Sequence, residues 1–179
     1  IRIINLDNFN KEGFIGAGRF CHVFRISDKT NGKHYAAKIS IQQVSNDDIE
    51  NIIREVNIMQ SFHHPTILQF IGFSQFNFEN EQKPTIITEY LPKGSLQDII
   101  NDQTKYPEWN ETKRLIIIYG IVCGLNYLHE QSIIHNDIKP SNILIDSNYY
   151  PRIADFGLSQ RNEEKKSLKI KGTPSYISP

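Results

Sequence analysis

The sequence predicts an α+β fold in two lobes, a small β-rich lobe with one helix followed by a mainly helical lobe. Three observations carry this. The first ninety residues are dominated by short apolar runs bounded by glycines and turn residues. One interval inside them, 46–62, has apolar residues at helical spacing instead. After "LPKGSL" (91–96) the helical pattern takes over.

Each element follows from a local signal. "GFIGAGRFCHVFRI" (13–26) reads as two short strands around glycines. "KHYAAKISI" (33–41) is a third, entered through Asn31-Gly32, a strong hairpin turn. In "NDDIENIIREVNIMQSF" (46–62), Ile49, Ile52, Ile53, Val56 and Met59 recur at helical spacing, and "HHP" (63–65) ends the helix. "TILQFIGFSQF" (66–76) and "PTIITEYL" (84–91) read as two more strands. Beyond the break, "SLQDIIND" is a short helix. "NETKRLIIIYGIVCGLNYLHEQ" (110–131) is a long one, with Ile118, Ile121, Val122, Leu125 and Leu128 expected on its buried face. "NILI" and "PRIAD" are short strands, and the tail from Gly157 to Pro179 is polar without a clear period. Trp109, Tyr149 and Tyr150 read as packing residues, and the lysines at 165, 166, 169 and 171 as part of a solvated loop.

The bulk numbers exclude several classes. With 20 basic and 20 acidic side chains the net charge is zero, so no global field favours nucleic acid or an anionic membrane. Hydrophobic residues at 39% and aromatics at 11% suit a globular core. Cys21 and Cys123 have neither metal-ligand spacing nor a disulfide framework, which fits a reducing, cytoplasmic setting. There is no apolar run of about 18 residues and no signal peptide. The chain begins at Ile1 rather than Met and reads as cut from a longer parent, which could carry a membrane segment elsewhere.

Five features bear on chemistry. Gly16-x-Gly18 lies between two strand-like runs rather than before a helix, which argues against a dinucleotide-binding turn. Such a hairpin either lays backbone N–H groups over phosphates or is an ordinary glycine turn. Lys38, in the apolar stretch "YAAKI", points either to solvent or inward as a buried cation that needs an anion. Glu55, at the margin of the helix's apolar face, could supply that anion. In "IIHNDIKPSN" (133–142), Pro140 bars a helix, and Asp137 and Asn142 stand five residues apart on a bent loop. The carboxylate could serve as general base and the amide oxygen could face a hard cation; alternatively the loop hydrogen-bonds its own backbone. His135 reads as a satisfied structural histidine. Asp155-Phe156-Gly157 follows a short strand, a place for a metal or phosphate ligand or for a plain turn, with Gly157 free to take unusual backbone angles. Asn142 and Asp155, with waters and phosphate oxygens, would suit Mg²⁺. Together and in this order, the five are the parts for phosphoryl transfer from ATP.

On these motifs the chain resembles a eukaryotic protein kinase catalytic domain from about Phe9 to Pro179. The resemblance implies a two-lobed protein-kinase-like fold, with residues 9–90 as the small lobe and 91–179 as an incomplete large lobe ending within the activation segment. It implies that Gly16 and Gly18 cover the phosphates of ATP, with Ile15, Val23 and Ala36 against the adenine. Lys38 then holds the α/β-phosphates and pairs with Glu55. Thr88 is the gatekeeper, and Glu89, Tyr90 and Leu91 form the hinge, with Ser95 and Leu144 completing the nucleotide site. Asp137 orients the substrate hydroxyl, Lys139 neutralises transferred charge, and Asn142 and Asp155 bind Mg²⁺. Met59, Phe70, His135 and Phe156 match the family's stacked apolar spine. Lys139 and "GTPSYISP" (172–179), where Thr173 would bond near Asp137, are the serine/threonine form, and "LPKGSL" with "QFIGFS" resembles the tyrosine-kinase-like group. The implied partners are protein substrates presenting Ser or Thr, with no nucleic acid and no direct membrane insertion.

Three departures stand out. Cys21 replaces the third loop glycine. Asn136 replaces the Arg that in many members grips a phosphorylated activation loop, so the reading expects activity that does not depend on phosphate docking at this position. The sequence stops at Pro179, where family domains continue, so these residues alone are expected to be poorly stable and nearly inactive. The rival function is a pseudokinase or nucleotide-binding scaffold without transfer; a small-molecule kinase is a third reading, disfavoured by "GTPSYISP".

Overall fold

Alternation of apolar and polar residues in the first ninety positions is realised as a single antiparallel sheet. The computed structural model describes residues 1–18, 20–42, 46–161 and 172–176; the four lysines at 165–171 and Ser167 lie outside the described residues. The chain divides into two compact units, residues 1–62 with 69–90, and residues 63–68 with 91–179.

The first unit contains β1 (Phe9–Ala17), β2 (Cys21–Asp28), β3 (His34–Ser40), helix α1 (Asn46–Gln60), β4 (Phe70–Ser74) and β5 (Thr85–Glu89). The strands lie in the order β1-β2-β3-β5-β4, with every pair antiparallel. Ile26, Ala37, Ile39 and Ile87 point to one face and pack with Leu6 as the core. The β2–β3 hairpin closes as the Asn31-Gly32 signal predicts: Gly32 is left-handed at φ +70° and its N–H donates to the Asp28 carbonyl at 2.8 Å. Strand β1 begins at Phe9, earlier than its apolar residues suggest, because the polar "FNKE" start is paired with 26–28 and braced by Arg25–Glu12 and Lys11–Glu79 ion pairs. Ahead of it, Ile3 forms a parallel bridge with Phe73, and the Ile4 N–H donates to the Phe73 carbonyl at 2.9 Å. Ile4 packs where Gly72 has no side chain; an added Cβ there would lie 2.5 Å from Ile4 Cγ2.

The strand expected over 66–76 is only five residues long. Its first residues are held elsewhere: the Leu68 N–H donates to the Ile153 carbonyl at 2.9 Å and the Ile153 N–H to the Thr66 carbonyl at 2.8 Å, within the second unit.

That unit carries α2 (Leu96–Asn101), α3 (Glu111–Glu130), β6 (Ile133–Ile134), β7 (Ile143–Ile145), β8 (Pro151–Ile153) and β9 (Gln160–Arg161), with β6 paired to β9 and β7 to β8. A capping box starts α2: Ser95 Oγ accepts from the Asp98 N–H, and the Asp98 carboxylate accepts from the Ser95 N–H. Asn110 caps α3 by accepting from the Lys113 N–H at 3.0 Å. The buried face of α3 agrees with its apolar spacing at Leu128, is half-buried at Ile121 and Leu125, and departs from it at Ile118 and Val122. Ile117, Gly120, Gly124 and Leu128 are buried, whereas Ile118 and Val122 are 58% and 59% exposed. Two glycines let the helix approach β8 and Thr66 closely: an added Cβ at Gly120 would meet Pro151 Cγ at 2.5 Å, and one at Gly124 would meet Thr66 Oγ1 at 2.6 Å. Glycine contributes nothing to an apolar pattern, so apolar spacing alone points to a stripe rotated away from Gly120 and Gly124. Among the described residues, no helix is long and apolar enough to cross a membrane.

Candidate active site

Residues of the first unit gather on the sheet face opposite its core. Val23 is directly paired with Lys38, and Ala36 with Thr88, so these four side chains share one face. Lys38 points inward. Its Nζ donates to Glu55 Oε1 at 2.8 Å, and Glu55 is only 7% exposed. A carboxylate that buried needs a cation close by, and strand and helix supply the pair together. Gly16 pairs with Val23 at the end of β1, and Ile15 beside it is exposed. The Gly18 N–H donates to the Cys21 carbonyl at 2.8 Å, and the Cys21 thiol occupies the space that a side chain at position 18 would need. Glu89 ends β5 paired with Tyr35, and its N–H donates to the Gln69 carbonyl at 3.0 Å. Met59 is buried and Phe70 half-buried.

The second unit builds a denser cluster. Pro140 opens a single 3₁₀ turn, Pro140–Asn142, which swings Asn142 back over Asp137. Asn142 Nδ2 donates to the Asp137 carbonyl at 2.8 Å and to Asp137 Oδ2 at 2.9 Å. Lys139 Nζ stands 2.7 Å from the same Oδ2. The other oxygen, Oδ1, accepts from the Thr173 hydroxyl at 2.6 Å and the Thr173 N–H at 3.1 Å. Lys139 also donates to Thr173 Oγ1 at 2.8 Å, closing a ring of three residues, Asp137, Lys139 and Thr173, to which Asn142 is joined through Asp137. Burial pushes the Asp137 carboxyl up, but the bonds from Lys139, Thr173 and Asn142 outweigh it and hold the group below its ordinary value. The carboxylate is therefore ionised at neutral pH.

Asp155 emerges next to Asn142, because the Ala154 N–H donates to the Asn142 carbonyl at 2.9 Å at the end of the β7–β8 ladder. Within Asp155-Phe156-Gly157 the left-handed residue is Asp155, at φ +64°, and not Gly157 as glycine's freedom suggested. Aspartate tolerates that region better than most side chains. His135 is structural, as expected: it is buried, Nδ1 accepts from the Asp137 N–H at 3.3 Å, and Nε2–H donates to the Ala154 carbonyl at 3.0 Å. Burial lowers its pKa, so the ring is neutral. The buried Phe156 ring meets it edge-on at 5.0 Å. Ser95 and Leu144 face each other in an isolated bridge, and Leu91 is buried beside the start of α2. Ser95 is committed through its hydroxyl to the α2 cap, a local role that the sequence reading did not assign. Sequence reasoning also missed Ser159, fully buried with its hydroxyl donating to the His135 carbonyl at 3.2 Å; no pattern in a polar tail marks such a residue.

Residues 9–179 match the family model described as protein kinase domain. Across 97% of its length the chain is 36% identical to cysteine-rich receptor-like protein kinase 10 of Oryza sativa subsp. japonica, covering 27% of that protein. It is 36% identical over 92% of its length to myosin light chain kinase 3 of Homo sapiens, and 34% identical over 92% to serine/threonine-protein kinase CTR1 of Arabidopsis thaliana, covering 20% of each. The chain thus spans well under a third of the length of these curated relatives. Since the family match runs through every strand and helix from β1 onward, the chain belongs to the protein kinase domain family.

Proposed function

We propose that this domain transfers the γ-phosphoryl group of ATP to serine or threonine hydroxyls of protein substrates. The observation that carries the reading is the ionised Asp137 carboxylate, held by Lys139, Thr173 and Asn142 in one hydrogen-bonded cluster. Asp137 accepts the hydroxyl proton of the substrate and aims its oxygen at the phosphorus. Lys139, 2.7 Å from that carboxylate, offsets charge that gathers on the transferring group. Lys38, oriented by Glu55, holds the α- and β-phosphates, while backbone N–H groups near Gly16 and Gly18 cover them. The nucleotide-binding candidates are Ile15, Val23, Ala36, Thr88 and Glu89 in the first unit and Leu91, Ser95 and Leu144 in the second.

The donor set fits Mg²⁺. Asn142 has its amide nitrogen engaged by Asp137, which leaves its oxygen for a hard cation, and the exposed Asp155 carboxylate is the second such donor. Among the described residues no group of three or more His, Cys, Asp or Glu could hold a metal ion. A site with two protein oxygens suits an ion that keeps waters and takes phosphate oxygens, as Mg²⁺ does. When bound, the ion neutralises phosphate charge; Asn142 and Asp155 fix its place.

Serine/threonine specificity is supported by Thr173, whose hydroxyl joins Asp137 and Lys139, and by relatives named as serine/threonine or receptor-like kinases. Cys21 and Cys123 are not in a disulfide, which suits a reducing cytoplasm. The test is a γ-phosphate transfer assay on the full-length protein and its Asp137→Asn variant, with labelled hydroxyls mapped. Transfer to Ser or Thr that disappears in the variant is expected. A wild-type protein that binds a partner but transfers nothing would make it a scaffold instead.

A further inference from the structure

Asn136 stands between two residues with committed side chains, His135 and Asp137, and its backbone is left-handed at φ +65°. Asparagine is one of the few residues besides glycine that enters this region readily, through local hydrogen bonding of its short side chain. Here Nδ2 donates to the Leu158 carbonyl at 3.1 Å and back to the Ile134 carbonyl at 3.4 Å. Leu158 lies three residues beyond Asp155 and two before β9. The same stretch is tied to the catalytic loop twice more. Strand β9 pairs with β6 through Ile133–Arg161 and Ile134–Gln160, and Ser159 donates its buried hydroxyl to the His135 carbonyl. These hydrogen bonds between 133–136 and 158–161 join neutral groups, and both partners belong to the chain itself.

We propose that Asn136 is a positioning residue: its carboxamide clamps residues 158–161 to the catalytic loop, and so fixes the backbone that carries Asp137 without any phosphate. The proposal rests on the phosphotransfer reading above. A side chain at 136 that lacks a donor leaves the Leu158 carbonyl without this bond and frees the segment that leads toward the substrate platform at Thr173. A side chain that resists left-handed φ strains the peptide next to Asp137 as well. Two substitutions separate these effects. Asn136→Gly keeps the backbone and deletes only the donor; Asn136→Ala deletes the donor and adds strain.

The experiment uses the full-length protein. In Asn136→Gly, kcat is expected to fall about three- to tenfold, the range for one net hydrogen bond. The KM for a protein substrate rises several-fold, while the KM for ATP stays within about twofold of wild type. Asn136→Ala falls further. In both variants the backbone amides of 160 and 161 exchange hydrogen several-fold faster than in wild type. A smaller folded fraction would lower kcat but leave the substrate KM alone, so the KM change reports positioning. Wild-type kinetics and exchange in Asn136→Gly would overturn the proposal. Faster exchange with unchanged kinetics would also overturn it, by reducing the clamp to a local brace. If the wild-type protein transfers no phosphate, the functional reading falls and the positioning role with it; the exchange rates then decide separately whether the clamp exists.

Discussion

Replacing Thr173 by Val tests the Asp137 cluster with almost no change of shape. The hydroxyl makes two bonds, donating to Asp137 Oδ1 at 2.6 Å and accepting from Lys139 at 2.8 Å, and both partners carry charge. Bonds to charged groups contribute about 1.5–3 kcal/mol each. Thr173 is half-buried, so water can replace part of what is lost, and its N–H still donates to Oδ1 at 3.1 Å. The lower end of the range therefore applies: about 1.5 kcal/mol, or roughly a tenfold loss in kcat/KM. Loss of one of the bonds that depress the Asp137 pKa also moves that pKa up. In wild type the depressed carboxyl stays ionised as pH falls to the ordinary Asp value of about 3.9, and both the base and its stabilising bonds are lost only as pH falls through the lower folded value. In the variant that acid limb shifts to higher pH. The assay is kcat/KM for a protein substrate across pH with the full-length protein, beside Thr173→Ser, which restores the hydroxyl and should recover to within about threefold of wild type. Activity within twofold of wild type in the Val variant, or a Ser variant as damaged as the Val one, would refute the reasoning.

Other outcomes follow from the same geometry. Glu55→Gln removes the charge 2.8 Å from the half-buried Lys38 ammonium and should raise the KM for ATP about tenfold, corresponding to roughly 1–2 kcal/mol after allowing for solvent screening; an unchanged KM would argue against a phosphate role for Lys38. Gly120→Ala should lower the melting temperature, because overpacking against the Pro151 ring at 2.5 Å costs about 1–3 kcal/mol against roughly 1 kcal/mol gained in helix propensity; a higher melting temperature would show that the helix can shift away. Ser159→Ala should destabilise the protein by about 1 kcal/mol with activity largely kept, whereas Ser159→Glu should abolish activity, since a carboxylate cannot be buried where the hydroxyl meets a carbonyl. Activation by the glutamate would identify Ser159 as a phosphorylation switch and contradict the geometry.

The sequence was informative where spacing and chemistry coincide. Gly16, Gly18, Lys38, Glu55, Asp137, Asn142 and Asp155 each have an ordinary alternative use, and they stand out by occurring together in the order of the protein kinase motifs. The Lys38–Glu55 pair, one of the two options for that lysine, is present; the direct bond from Asn142 to the Asp137 carboxylate is a contact that five-residue spacing alone does not predict. Less legible were features decided by close approach rather than by hydrophobicity. Which stripe of α3 is buried depends on Gly120 and Gly124, which carry no apolar signal of their own. The late start of the expected 66–76 strand depends on Ile153, more than eighty residues away, capturing Thr66 and Leu68. Strand β9 is two polar residues long and has no pattern to read. Asn136 read only as the absence of a guanidinium, because a side chain bonded to a carbonyl 22 positions on leaves no local trace.

The short run ahead of β1 has a practical consequence. Strand β4 lies at the rim of the sheet, where unsatisfied peptide groups invite strands from other molecules, and residues 2–4 cover the Phe73 peptide with their own. Shaving those few residues off during expression would uncover it and present a sticky template for chain-to-chain association. Where a preparation is trimmed at the front therefore bears directly on its solubility.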